Sequence, residues 1–559
     1  MAKDDGNLKS ILEKGRKEAE ERDAQRRAKE LGQPYINLAV QPIETDALEL
    51  VPEEKAHEAQ LAAVEKKGSN VVLVVYNNSN QKTKEVIKAL EEKGFKLKIF
   101  VVSLTSLKRA WDFYKYLVKK TTSLTGRIDI NKQRINDLIK KLVKLEDVKK
   151  EVDDFDFKTH TTAEILEIIL AGALGNRASD IHFEPREETT KLRYRIDGDL
   201  RDVMDSLKTS VYSHIVSRIK LLSNLKLNIR DEAQDGRFTI GLGDKEVEMR
   251  VAVAPSEYGE VIVMRVLDPN AINLELKDLG FRKDDLDIIE EELSRPNGMI
   301  LNTGPTGSGK TTTLYAFLKH KKNPSIKIIT IEDPIEYHLD GIEQTQVDKE
   351  ANYTFSNGLK SLMRQDPDTI LIGEVRDKET ASIAIQAALT GHLVFSTVHA
   401  NQASGAIPRF IDLGVKSTSI GPALNLIIAQ RLVKRLCKNC KQEEKLEPSL
   451  EEKFKKIINA LPDRVDKKQY EKIQIYKAVG CDTCKGVGYK GRVGIYELLR
   501  ISKEIEDLMN KGAGEIEIQK FALGQGMVTM QQDGILEIVS GVTTLEEVER
   551  ATGLIKELK

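Results

Sequence analysis

Several things are missing from this chain, and each absence narrows what it can be. No apolar run approaches the roughly 18 residues that a membrane-spanning helix needs. The start, Met1-Ala2-Lys3-Asp4-Asp5-Gly6, carries no apolar stretch of secretory type. A cytoplasmic protein with no direct membrane insertion is therefore expected. A charge excess of either sign is also absent: 87 basic and 88 acidic residues leave a net charge of −1. That balance argues against bulk nucleic-acid binding and against a polybasic membrane anchor. There is no internal repeat and no low-complexity tract. Cysteine is scarce, four in 559 residues, and occurs only as two Cys-x-x-Cys pairs. In a reducing compartment that pattern suggests a metal site before disulfides.

With 40% apolar and 31% charged residues, the composition is that of an ordinary soluble globular protein, and the length predicts two to four domains. Residues 1–30, dense in Lys, Arg, Glu and Ala, read as a charged arm with little to bury. Residues 31–119 alternate short strands (Val71 to Tyr76, Leu97 to Val102) with amphipathic helices, predicting a small α/β domain. Residues 120–156, mostly charged with sparse apolar residues, read as a linker helix. A second domain over 157–268 combines helices with hairpin-forming strands, Asp197-Gly198 supplying a tight turn. From Met299 onward strands alternate with helices, predicting a parallel sheet with crossovers in a domain spanning 269–432. A cysteine-bearing module (433–490) and a helical C-terminal subdomain (491–559) follow.

The apolar run Met299-Ile300-Leu301 leads into Gly304-Pro305-Thr306-Gly307-Ser308-Gly309-Lys310-Thr311, after which Thr312 continues into a helix. This is the phosphate-loop spacing in its strand-turn-helix context. Its glycines let successive N–H groups point at a phosphate at a helix N-terminus. Lys310 is placed to bridge the β- and γ-phosphates of ATP, and the Thr311 hydroxyl to ligate Mg²⁺. Two apolar strands that end in acids supply the remaining parts. Thr369 to Ile372 leads to Glu374, expected beside the metal, and Ile328 to Ile331 leads to Glu332, expected to orient or deprotonate the attacking water. A third strand ends at Thr397 and His399, where a γ-phosphate sensor would lie.

Four segments in this order resemble the secretion-type ATPases: the phosphate loop (Walker A), Ile331-Glu332-Asp333-Pro334-Ile335-Glu336 (Asp box), Ile372-Gly373-Glu374-Val375-Arg376-Asp377 (Walker B), and Thr390-Gly391-His392 through His399-Ala400-Asn401 (His box). The likeness extends back through Ala178 to Pro185, Arg193 to Gly198, Gln234 to Arg237 and Gly259-Glu260, covering at least residues 160–555. It implies an α/β fold, with a RecA-like ATPase domain preceded by a PAS-like second domain and a small N-terminal domain. It also implies a homo-hexamer working on an inner-membrane platform protein, and through it on pilin subunits, from the cytoplasmic side of the membrane. Arginines of the second domain that reach the γ-phosphate in this family map best to Arg237 and Arg250, then to Arg265.

Cys437, Cys440, Cys481 and Cys484 supply four thiolates, enough for a closed tetrahedral Zn²⁺ with no open position for catalysis. The residues between the two pairs are expected to fold as an inserted subdomain around Phe454, Ile457 and Ile458. In the family such a module goes with filament extension, which points to the motor of type IV pilus assembly, with a type II secretion motor as the alternative. The N-terminal domain resembles that of extension motors at Leu31 to Tyr35 and Leu50 to Glu53, although the paired Arg-Leu-Gly segments that bind cyclic di-GMP in some members are not found. A nucleic-acid translocase is the competing enzyme reading, and the absent basic stripe argues against it. A non-hydrolysing scaffold is disfavoured by Lys310, Glu332 and Glu374 occurring together.

Overall fold

The computed structural model describes residues 16, 19–38, 43, 45–48, 50–67, 70–77, 80–116, 127–128, 132–155, 161–242, 245–268 and 274–555. Residues 1–15 of the expected arm and the expected joints near 119–120 and 156–157 lie outside the described residues. Two compact units divide the chain, residues 1–124 and 125–559.

In the first unit, the strands Leu61–Lys67, Asn70–Val75 and Lys96–Val101 form a sheet in that order. The first pair is antiparallel, and the second is parallel across the helix Gln81–Glu92, which Asn80 caps. Val71, Leu73, Val74 and Val75 fill the core with Leu107 and Ala110 of the helix Leu104–Asp112. The described part of the arm is helical at residues 19–30 and buries Ala24 and Ala28. Its Arg27 guanidinium lies 3.9 Å over the Tyr76 ring, so this part packs on the domain, where the sequence led us to expect a solvated arm.

The second unit begins with a seven-stranded sheet. Its order is Arg127–Ile128, Gln234–Leu242, Lys245–Ser256, Gly259–Leu267, Ala178–Pro185, Thr189–Ile196, Asp199–Lys208. Asp197 and Gly198 take positive φ (50° and 97°), as the hairpin turn requires. The helices Lys132–Lys141 and Leu145–Asp153 fall within the expected linker, yet they pack through Ile135, Leu142, Val148 and Val152 on the buried helix Thr162–Gly175. Glycine makes that approach possible, because a Cβ on Gly172 would meet Val148 Cγ2 at 2.6 Å.

A second seven-stranded sheet carries the phosphate loop, in the order Glu343–Gln346, Ile328–Glu332, Thr369–Ile372, Leu393–Val398, Gly298–Thr303, Leu424–Leu436, Tyr489–Arg500. All neighbours are parallel except the last pair. Four central strands are buried along their whole length, as apolar runs covered by helices on both faces must be. The strand Leu424–Leu436 passes residue 432 and ends against Cys437. Its partner Tyr489–Arg500 returns from the second cysteine pair to the same sheet. Phe454, Ile457 and Ile458 therefore join the main core of this sheet, where the sequence had suggested an inserted core of its own. A buried charge cluster binds these parts together. Arg282 pairs with Asp285 at 2.7 Å and with Asp533 on the helix Met530–Val539, and Arg464 pairs with Asp285 at 2.8 Å.

Candidate functional site

The strand Gly298–Thr303 runs straight into the loop, and the helix Lys310–Lys321 leaves it. Gly304, Gly307 and Gly309 all take positive φ (150°, 80° and 92°). At Gly304 a Cβ would lie 2.5 Å from the Gln430 carbonyl oxygen, so only glycine lets the loop turn this close to the next strand. Pro305, Thr306, Gly307 and Thr311 face solvent, Thr312 is half-buried, and Ser308 is buried with an Oγ that has no hydrogen-bond partner. Lys310 folds back over the loop and donates to the carbonyl oxygens of Gly304 (2.9 Å) and Pro305 (3.0 Å). Burial pushes its proton affinity down, Glu374 opposes that, and Arg431 reinforces it.

A half-buried ammonium that donates to loop carbonyls, an orphaned hydroxyl and a glycine-lined turn at a helix N-terminus together fit a triphosphate. Thr311, at the first turn of that helix, and Glu374, close enough to Lys310 to act on its charge, fit Mg²⁺. Glu374 is partly exposed, is paired to Arg376 at 2.6 Å, and has His399 Nε2 at 3.8 Å. His399 lies just past the strand Leu393–Val398 and is half-exposed, while Thr397 donates to the Gly373 carbonyl at 2.8 Å.

The two acids of the Asp box have opposite environments. Glu332 is 3% exposed. Its Oε1 accepts from Thr330 Oγ1 (2.7 Å) and Gln344 Nε2 (3.2 Å), and its Oε2 accepts from Tyr315 on the phosphate-loop helix. Burial raises its proton affinity, and these three donors oppose the rise. Enclosed in this way, Glu332 is largely closed to water in this conformation. Glu336, four residues on, is more open, and its Oε2 receives Arg250 Nη1 at 2.9 Å.

Arg250 reaches the Asp box from the second domain and also donates to the Ile335 carbonyl at 2.5 Å. Arg237 pairs in register with Arg250, and Arg250 with Arg265, on three adjacent strands. The register thus sets three arginines side by side across the sheet. Arg237 is exposed, and Arg265 is held by Asp180 at 3.2 Å, so of these three arginines Arg250 is the one seen to contact the Asp box among the described residues.

The four cysteines converge, with all four Sγ atoms within 4.8 Å of one another. Tetrahedral zinc at about 2.3 Å from each sulfur would space sulfurs about 3.8 Å apart. The Sγ···Sγ distances for Cys437–Cys481, Cys481–Cys484 and Cys440–Cys484 are 3.8, 3.8 and 3.6 Å, and none of the four is in a disulfide. The donor set fits a closed Zn²⁺ site. Beside it Lys485 donates to the Gly175 carbonyl (2.9 Å) and to Asn176 Oδ1 (3.0 Å) at the end of the helix Thr162–Gly175. The Gly491 N–H donates to Asp197 of the hairpin turn (3.1 Å). The cysteine module thus grips the second domain.

Sequence reasoning passed over Gln430 and Arg431. Gln430 Oε1 accepts from Asn302 Nδ2 (2.9 Å) and Thr313 Oγ1 (3.0 Å), bracing both ends of the phosphate loop. The available signal was two polar residues ending the apolar run Leu426 to Ala429.

Among the described residues no helix is long and apolar enough to cross a membrane. The type IV pilus assembly ATPase PilB of Myxococcus xanthus is 36% identical over 522 residues, covering 93% of this chain and 89% of that protein. The type II secretion system ATPase E of Vibrio cholerae is 42% identical over 390 residues, covering 70% of this chain and 75% of that protein. A solved structure of the Legionella pneumophila ATPase DotB superposes with a TM-score of 0.50 at 21% identity, covering 71% of this chain and 97% of that one, which supports the fold. The family model described as Type II/IV secretion system protein matches residues 157–550, and the chain belongs to that family.

Proposed function

We propose that the chain is an ATP-hydrolysing motor of type IV pilus assembly. In this reading it acts as a homo-hexamer at the cytoplasmic face of the inner membrane, driving a platform protein that adds pilin subunits. The observation that carries the ATPase reading is the phosphate loop with Lys310 turned into it. The pilus reading is favoured over type II secretion because likeness to the pilus ATPase runs through 93% of the chain, whereas the secretion relative covers 70%.

In the proposed reaction the loop N–H groups and Lys310, released from the Gly304 and Pro305 carbonyls, bind the β- and γ-phosphates. Mg²⁺, held by Thr311 on the Glu374 side, would neutralise charge on the transferring group. Glu336 takes the proton of the attacking water, and sealed Glu332 ties the phosphate-loop helix to the Asp box. Arg250 exchanges Glu336 for the γ-phosphate, which frees the base at the moment a cation reaches the developing charge. His399, beside Glu374, senses the γ-phosphate. Arg237 and Arg265, in the same row, support Arg250.

The test is steady-state ATP turnover of the purified chain, alone, with DNA, and with the cytoplasmic segment of a platform protein. Stimulation by the platform segment and indifference to DNA are expected. Stimulation by DNA alone would replace the reading with a translocase.

A further inference from the structure

The strand Leu424–Leu436 pairs with the phosphate-loop strand as far as Thr303↔Ala429. Its next two residues, Gln430 and Arg431, therefore stand beside the first turn of the loop. A Cβ on Gly304 would lie 3.3 Å from Arg431 Nη1. That nitrogen donates to the Gln430 carbonyl at 3.2 Å. Nη2 donates to the carbonyl oxygen of Asn401 (3.2 Å) and to its Oδ1 (3.4 Å). Asn401 belongs to the segment that follows His399.

All of these acceptors are neutral, and among the described residues Arg431 pairs with no carboxylate. Glu497, the acid that acts on its charge, is buried and committed to the N–H groups of Ala403 (2.9 Å) and Met530 (3.4 Å). A half-buried cation without a counter-charge is costly to keep for packing alone. Here it lies near a second cation, Lys310, in a site suited to a polyanion. The planar fork of guanidinium also reaches acceptors on two separate segments at once, which a lysine ammonium at the same place cannot reproduce.

From this geometry we infer that Arg431 is a positioning residue of the nucleotide site. It fastens the segment carrying His399 and Asn401 to the strand behind Gly304, so that the γ-phosphate side of the site keeps a fixed distance from the phosphate loop. The inference deepens the proposed ATPase reading and rests on it. Its prediction is a split between chemistry and binding, because the tether holds groups that act on the transferring phosphate and leaves the β-phosphate cradle intact.

The experiment compares Arg431→Met and Arg431→Lys with wild type in kcat, ADP affinity, melting temperature and amide exchange of peptides covering 399–404. Both variants are expected to lose at least about tenfold in kcat while ADP Kd stays within about threefold. Exchange at 399–404 should rise, with melting unchanged. Near-wild-type turnover in Arg431→Lys would overturn the fork. ADP affinity falling in step with kcat would make Arg431 a direct phosphate ligand instead. A lowered melting temperature with faster exchange throughout 424–436 would reduce it to a packing residue. If wild type does not turn over ATP, the ATPase reading fails, and unchanged exchange at 399–404 would still sink the tether on its own.

Discussion

Glu332 and Glu336 are four residues apart on either side of one turn, and burial separates them. A base must meet water in the geometry of attack, and Glu336 is the more open of the two, since Glu332 is closed in by Tyr315, Thr330 and Gln344. Glu336→Gln is expected to lower kcat by at least about a hundredfold with ATP affinity kept. Glu332→Gln should lose less turnover but more thermal stability, since it unbalances a buried hydrogen-bond cluster. The reverse order, read by single-turnover kinetics and melting, would return the base to Glu332. Glu537 yields a prediction of a different kind. Burial, aided by the Asp533 carboxylate, pushes its carboxyl up to about 8, with Arg435 and Arg282 opposing. A raised folded-state value means that its contribution is present below the ordinary carboxylate range and is lost as pH rises through about 8. Glu537→Gln should therefore raise the melting temperature at pH 9 and leave it nearly unchanged at pH 4.5; an equal effect at both would refute the assignment. The phosphate loop was legible in the sequence because its chemistry needs fixed spacing. The division of labour between Glu332 and Glu336 was not, because tertiary burial decides it.

Elements were legible where one periodicity ruled. The strands Gly298–Thr303, Ile328–Glu332, Thr369–Ile372 and Leu393–Val398 are apolar runs buried on both faces, and they read as such. Ala178–Pro185 lies between Gly259–Leu267 and Thr189–Ile196 in its sheet, but with Ser, Asp, His and Glu in it, it read only as a motif. The helices of 132–153 were hidden by their charged outer faces, and a few apolar residues suffice to seat them on Thr162–Gly175. The cysteine site was plain from its spacing, whereas its grip on the second domain was not, because Lys485 meets Gly175 across more than three hundred residues of sequence. Elemental analysis of protein purified without chelator should give about one Zn²⁺ per chain. Stripping the metal, or Cys481→Ser, should speed amide exchange at 172–177 and lower the melting temperature before it affects nucleotide binding. Protected exchange at 172–177 after complete metal loss would show that the grip does not depend on the metal.

At the scale of the whole second unit, a domain bearing a row of arginines is joined to the ATPase part at several places: Arg250 on the Asp box, Lys485 and the Gly491 N–H beside the cysteines, and Asp199 against Lys434 (2.5 Å) and Arg550 (3.1 Å). A motor needs hydrolysis to depend on that closure. Arg250→Ala is expected to bind ATP nearly normally and turn it over at least about tenfold more slowly, the loss falling on the transition state. All of this rests on ATP being hydrolysed at the loop Gly304 to Thr311. The most direct measurement is the steady-state turnover of Lys310→Ala beside wild type, at matched melting temperature. Loss of turnover by at least about a hundredfold is the predicted result, and turnover within about twofold of wild type would contradict it.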